Sequence, residues 1–91
     1  MKKHLLIFGK VQGVGFRNWL CTKATKKNVH GWVKNTIKGE VEALLIGNSK
    51  DVNEIIKQCG TGPSTSRVME IKIKDYKQDY FGKSFNIIHR Q

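Results

Sequence analysis

IFGKVQGVGFR, residues 7–17, is where an apolar run gives way first to glycines and then to a helical pattern. Upstream, residues 4–11 read as a strand: Leu5, Ile7 and Val11 share one parity while Leu6 and Phe8 take the other, so both faces are covered near its centre. Downstream, residues 18–28 read as a helix, with Leu20, Cys21 and Ala24 at helical spacing and Lys23, Lys26 and Lys27 outward. Lysines in the last turn suit the negative end of the helix dipole, and Asn28 is a plausible stop. Between strand and helix, Gly13 and Gly15 lack a Cβ, which lets the backbone curve with its N–H groups converging. Such a loop beside a helix N-terminus binds an anion without any side chain. Arg17 can add a planar, bidentate fork to the same anion. The segment matches neither the Walker pattern, since no GK[ST] closes it, nor the dinucleotide GxGxxG fingerprint, so a nucleotide is disfavoured. Phe16 is expected to anchor the loop in the core. The Gln12 side chain could turn either way.

The rest of the chain supplies the partners of this strand–loop–helix unit. Residues 31–36 and 40–46 read as two strands joined through Ile37, Lys38 and Gly39, close enough for an antiparallel hairpin. After Gly47, Ser49 is a candidate N-cap with Asp51 in the first turn, and Val52, Ile55, Ile56 and Cys59 form an apolar helical stripe ending at Gly60. Residues 61–66, with Pro63, are a loop. Residues 68–76 alternate, with Met69, Ile71 and Ile73 on one face and Glu70, Lys72 and Lys74 on the other. Residues 84–89, carrying Phe85 and Ile87, form a short last strand. The order β-α-β-β-α-β plus one short C-terminal strand is an α+β, ferredoxin-like sandwich, an antiparallel sheet with two helices on one face.

At 91 residues, with 38% hydrophobic and 26% charged residues, the chain has the profile of one globular domain, residues 1–91. No apolar run is long enough to span a bilayer, no signal-peptide pattern follows Lys2 and Lys3, and a cytoplasmic address without membrane contact is expected. Cys21 and Cys59 lack metal or redox spacing; each is expected on the apolar face of a helix, and whether they bridge stays open. The net charge of +10, resting mostly on lysines, fits nucleic acid, an acidic surface or an anionic small substrate. Charge alone does not choose among these.

Two segments in register narrow the choice. IFGKVQGVGFR together with GWVKNTIKGEVEALLIG, residues 31–47, resembles the two signature segments of the acylphosphatase family. The second carries Gly31, Trp32, Val33, Asn35, Gly39, Val41 and Gly47 at the family's spacing. The likeness runs on through Ala24, the Gly62-Pro63 loop and Phe85-x-Ile87. Ser66 departs from the small apolar residue common there, which bears on packing of the fourth strand and not on catalysis. The resemblance implies hydrolysis of acyl phosphates to a carboxylate and inorganic phosphate. It implies that the loop, Gln12, Gly13, Val14, Gly15, Phe16 and Arg17, holds the phosphoryl group, with Arg17 and Asn35 catalytic and Asn35 orienting the water. Without the resemblance, Asn35 would read as a turn former at a strand end, although it shares parity with the apolar Val33.

The residue inventory suits that chemistry. The leaving group of an acyl phosphate is a carboxylate with a pKa of about 4, so it departs without a proton donor. His4, His30 and His89 are scattered and read as structural or surface residues. No metal or organic cofactor is called for. The expected partners are a small anionic acyl phosphate and inorganic phosphate, no nucleic acid, and a monomer. The alternative is a non-catalytic RNA- or anion-binding module on the same fold; it lacks the RNP1 pattern that RNA-binding sheets use, although Trp32 and Tyr76 could lie on the open face. A second alternative keeps the phosphate site inside a larger maturation protein that handles carbamoyl phosphate; a stand-alone enzyme is preferred.

Overall fold

A computed structural model describes residues 1–89. The elements are β1 (Lys2–Lys10), α1 (Phe16–Lys26), β2 (His30–Asn35), β3 (Val41–Ile46), α2 (Ser49–Cys59), β4 (Arg67–Asp75) and β5 (Phe85–Ile88). The strands form one sheet in the order β4-β1-β3-β2-β5. β1 pairs antiparallel with β3 and β4, and β2 pairs antiparallel with β3. This is the ferredoxin-like four-strand pattern read from the sequence.

The added strand corrects the expectation of a wholly antiparallel sheet, because β5 pairs parallel with β2. After β4, on one edge, residues 76–84 carry the chain to the opposite edge. The Tyr76 N–H donates to the Lys2 carbonyl and Lys2 Nζ donates to the Gln78 carbonyl at the start of this crossover. β5 thus runs in the same direction as β2, and the C-terminal ends of both gather at one end of the sheet.

Register decides which side chains meet. Leu5 of β1 lies opposite Ala43, which lies opposite Val33, and Ile7 lies opposite Val41, which lies opposite Asn35. These side chains share a face with Leu45, and both helices cover it, α1 with Phe16, Leu20 and Ala24 and α2 with Val52, Ile55 and Cys59. Burying each Val, Leu or Ile there is worth about 1.5–3 kcal/mol. α2 carries its apolar residues in a regular stripe, so packing rather than propensity holds it.

Several boundaries differ from the sequence reading. α1 starts at Phe16, two residues before the expected Asn18, because Gly15 in a left-handed conformation turns the loop directly into the helix. It ends where Asn28 adopts φ 59°, the stop expected there. The N-cap of α2 is Asn48 rather than Ser49: Asn48 Oδ1 accepts from the Asp51 N–H at 2.9 Å. In β4 the apolar face is Val68 and Ile71, not Met69, which is 78% exposed, and Ile73 is also exposed. A bulge between Phe8 and Gly9 pairs Gly9 with Val68 and leaves Met69 unmatched, reversing the alternation. Gly9 permits it by approaching β4 closely; a Cβ there would lie 2.1 Å from the Arg67 carbonyl oxygen. Ser66 donates through Oγ to the Pro63 carbonyl at 2.7 Å, so this departure from the family pattern sits satisfied in the turn before β4.

The two thiols are free. Cys21 Sγ donates to the Phe85 carbonyl, whereas Cys59 is buried in the core, where desolvation pushes its thiol from an ordinary 9.0 up to about 12.

Candidate functional site

β1 and β2 run in the same direction, so the loop after β1, the N-terminus of α1 and the last residue of β2 lie at one end of the sheet. Val11 is buried and fixes the start of the loop, and Phe16 is buried at its end, edge-on to Trp19 with ring centroids 5.3 Å apart. Gly13 and Gly15 adopt φ 73° and 80°, with open space where a Cβ would be, so glycine is needed there for conformation and not for room. None of the backbone N–H groups of residues 12–18 donates to a protein acceptor among the described residues. Gly15 offers no side-chain cap and the first turn of α1 holds no acid. The positive end of that helix and its unpaired N–H groups are therefore left open.

These groups border a pocket of about 100 Å³ whose lining includes Gly13, Gly15, Phe16, Arg17 and Asn35. Among the described residues no acidic one lines it. Arg17, the second residue of α1, is half-buried and makes no ion pair among the described residues. Asn35 ends β2 on the helix-covered face, and its Oδ1 is buried without a hydrogen-bond partner among the described residues. A buried, unpaired acceptor costs about 1–3 kcal/mol, so a strand end holding one beside an anion-binding loop is unusual. The arrangement can hold a small oxyanion and present one acceptor to a hydrogen-bond donor next to it.

Of the loop residues expected at the site, Gly13, Gly15, Phe16 and Arg17 line the pocket, and Gln12 and Val14 do not. The Gln12 side chain turns away and donates through Nε2 to the carbonyls of Thr36 and Glu40, each at 2.8 Å, tying the loop to the β2–β3 turn just beyond Asn35. Val14 is half-buried against the core. Four lining residues lie outside the site expected from the sequence: Val11, Asn18, Ile87 and His89. Asn18 is the third residue of α1, and an earlier helix start would have placed it beside Arg17. Ile87 lies opposite Val33 in parallel register, which carries His89, two residues on, to the level of Asn35. His89 is thus at the pocket and not merely a strand-end residue. His4 and His30 do not line this pocket; His4 Nε2 meets Glu42 Oε2 at 2.6 Å on the opposite face of the sheet.

That opposite face carries a larger, more open hollow of about 470 Å³. Its two carboxylates are both paired: Glu42 engages His4 and Lys34, and Asp75 pairs with Lys3, whose hydrogen bond and charge hold that carboxyl below the usual carboxylate range, while Lys74 and Lys77 line the hollow without an ion pair among the described residues. Trp32 is half-buried there beneath Lys34 Nζ, 5.5 Å from the ring centroid, and Tyr76 is also half-buried. The smaller pocket joins the open N–H groups of a helix start to Arg17 and has no acid among its described lining residues, whereas Glu42 and Asp75 line the larger one, so the smaller is the better anion site.

The family model described as Acylphosphatase matches residues 3–87. An acylphosphatase of Rhodopseudomonas palustris is 41% identical over 91 residues, covering 94% of this chain and 92% of its own. The crystal structure of the acylphosphatase from Bacillus subtilis superposes with a TM-score of 0.91 at 30% identity, covering 96% of this chain and 97% of that one. An acylphosphatase from Coxiella burnetii gives 0.88 at the same identity, covering 96% and 90%.

Proposed function

The chain belongs to the acylphosphatase family and hydrolyses acyl phosphates, and from that premise we propose how its own residues carry the reaction. The N–H groups of residues 12–17 and the Arg17 guanidinium hold the three phosphoryl oxygens. Asn35 Oδ1 accepts a hydrogen bond from a water and fixes it in line with the bond to be broken. The water oxygen bonds to phosphorus as the bond from phosphorus to the acyl oxygen breaks. The carboxylate leaves with the electron pair, and the proton of the water passes to a phosphoryl oxygen of the product. The observation that carries this reading is Asn35 Oδ1, buried without a partner among the described residues, in a residue that borders the same pocket as the open start of α1.

Magnitudes favour this division of labour. A leaving carboxylate, with a pKa of about 4, needs no general acid. A loose phosphoryl-transfer transition state needs mainly positioned donors on its equatorial oxygens, which amides and one Arg supply. A neutral amide is too weak a base to deprotonate water but orients it well. The same reading takes the protein as a monomer of the cytoplasm whose reaction needs no metal. Among the described residues no helix is long and apolar enough to cross a membrane.

The test is hydrolysis of benzoyl phosphate in excess chelator, with inorganic phosphate as a competitor. Turnover with competitive inhibition by phosphate is expected. Salt-sensitive RNA binding without hydrolysis would instead favour the binding-module reading, and loss of activity on chelation would overturn metal independence. Gel filtration checks the monomer.

A further inference from the structure

We propose that Thr65 is a positioning residue of the phosphate loop, its hydroxyl holding the Val14 carbonyl so that the Gly15 N–H is turned toward the phosphoryl group. The inference rests on the reading of residues 12–17 as the phosphate cradle. Thr65 lies in the connection between α2 and β4, far along the chain from that loop. Its Oγ1 donates to the Val14 carbonyl at 2.7 Å. The Val14–Gly15 peptide is trans, as are all the described peptides, and across a planar trans peptide the C=O and N–H point in opposite directions. Gly15 lines the pocket and Thr65 does not. A carbonyl drawn out toward Thr65 therefore sends the N–H of the same peptide to the pocket side.

The loop needs such a latch because of its glycines. Gly13 and Gly15 flank Val14 at φ 73° and 80°, and neither has neighbours that a side chain would meet. Glycine populates positive and negative φ about equally, so the peptide between them has little intrinsic preference for one orientation. Reversed, it would aim a carbonyl oxygen, carrying partial negative charge, at the anion. At the far end of the loop the Gln12 side chain already fixes the backbone to the β2–β3 turn. Thr65 supplies the hold on the near side.

The latch has a firm base. Ser66 bonds back to the Pro63 carbonyl through both its N–H and its hydroxyl. Gly62 packs against Phe16 so closely that a Cβ there would lie 2.7 Å from the ring. The 61–66 connection thus rests on the first residue of α1, and the Thr65 hydroxyl is held at a set position relative to the loop.

The experiment compares Thr65→Val, which keeps the shape and loses the hydroxyl, with Thr65→Ser, which keeps the hydroxyl. Inorganic phosphate is titrated into each 15N-labelled protein and backbone amide shifts are followed, alongside steady-state hydrolysis. In wild type and Thr65→Ser, the Gly15 amide should shift on phosphate binding together with Gly13 and Phe16. In Thr65→Val the Gly15 response should shrink selectively, and the phosphate inhibition constant should rise about tenfold. kcat should fall less than the 10²–10³ typical of removing an oxyanion donor outright, because the N–H is misaimed rather than absent. Thr65→Ala gives a second hydroxyl-free variant, and the effect should follow the hydroxyl across all four proteins. An unchanged Gly15 response and inhibition constant in Thr65→Val overturn the latch while the cradle stands. Loop amides of the wild type that ignore phosphate overturn the cradle itself.

Discussion

α2 begins under Asn48, whose Oδ1 accepts from the Asp51 N–H at 2.9 Å while its Nδ2 donates to the Asp51 carboxylate at 2.8 Å. α1 begins under Gly15, which has no side chain to offer, and at the position matching Asp51 it carries Asn18. Both helices are 11 residues long and bury one face in the same core, so their ends differ by composition and not by setting. α2 caps the Asp51 N–H of its first turn with the Asn48 side chain and places a carboxylate against its positive dipole end. α1, with glycine at that position, gives up roughly a few tenths of a kcal/mol of capping and keeps its N–H groups and dipole for a ligand. The difference teaches how to recognise a working helix end: missing stabilisation, repeated across cap, first turn and loop, and concentrated at one pocket.

Substitutions at the open end should have the largest effects, on activity and not on folding. Arg17→Ala should lower kcat/KM by about 10³ and abolish inhibition by phosphate. Asn35→Ala should lower kcat by about 10²–10³ and leave that inhibition intact, the magnitude expected for one lost oxyanion donor or water-orienting group. Steady-state kinetics with phosphate as inhibitor separates the two. Near-native kcat in Asn35→Ala would remove the role assigned to its amide.

A sharper test makes α1 resemble α2. Asn18→Asp puts a carboxylate where α2 has Asp51, and it should raise the phosphate inhibition constant and KM about tenfold by repulsion. Chemical denaturation should show the same variant more stable by about 0.3–1 kcal/mol through the dipole. A variant that gained stability and bound phosphate normally would show that the end of α1 is not the anion site.

Removing the cap from α2 is the converse. Asn48→Ala should cost about 1 kcal/mol in urea denaturation and leave kcat unchanged. The smallest effect is expected at the other end of α2, from Cys59. Its folded thiol ionises only near 12, while the unfolded thiol does so near 9.0. The unfolded chain thus loses its proton first, so stability should decline as pH rises above about 9, and Cys59→Ala should lack that component. Native Cys59 should also resist alkylation at pH 8.

The comparison shows how far the sequence could be read. The stripe of Val52, Ile55 and Cys59 announced α2, and the glycines before Arg17 announced an anion loop, because both signals are local. The exact start of α1 is not legible in the pattern, since Gly15 in a left-handed conformation leaves no periodic trace. Asn35 looked like an ordinary strand-end residue until the family resemblance gave it a role. Met69 reads as sharing a face with Ile71 because alternation alone does not show the bulge that the close approach of Gly9 to β4 permits.

By itself, then, the sequence determined the element order, the glycine-shaped loop, the residue types of an anion site and the family. Tertiary structure alone decided that β5 lies parallel to β2, that Ile87 and His89 reach the pocket, that Gln12 faces the hairpin, and that Asn35 Oδ1 is buried without a partner among the described residues. The reason is physical. Periodicity reports which face of its own element a residue occupies, whereas register and crossover set which elements share an edge or an end. The first helix could be left uncapped only because residues distant in sequence close the pocket around it.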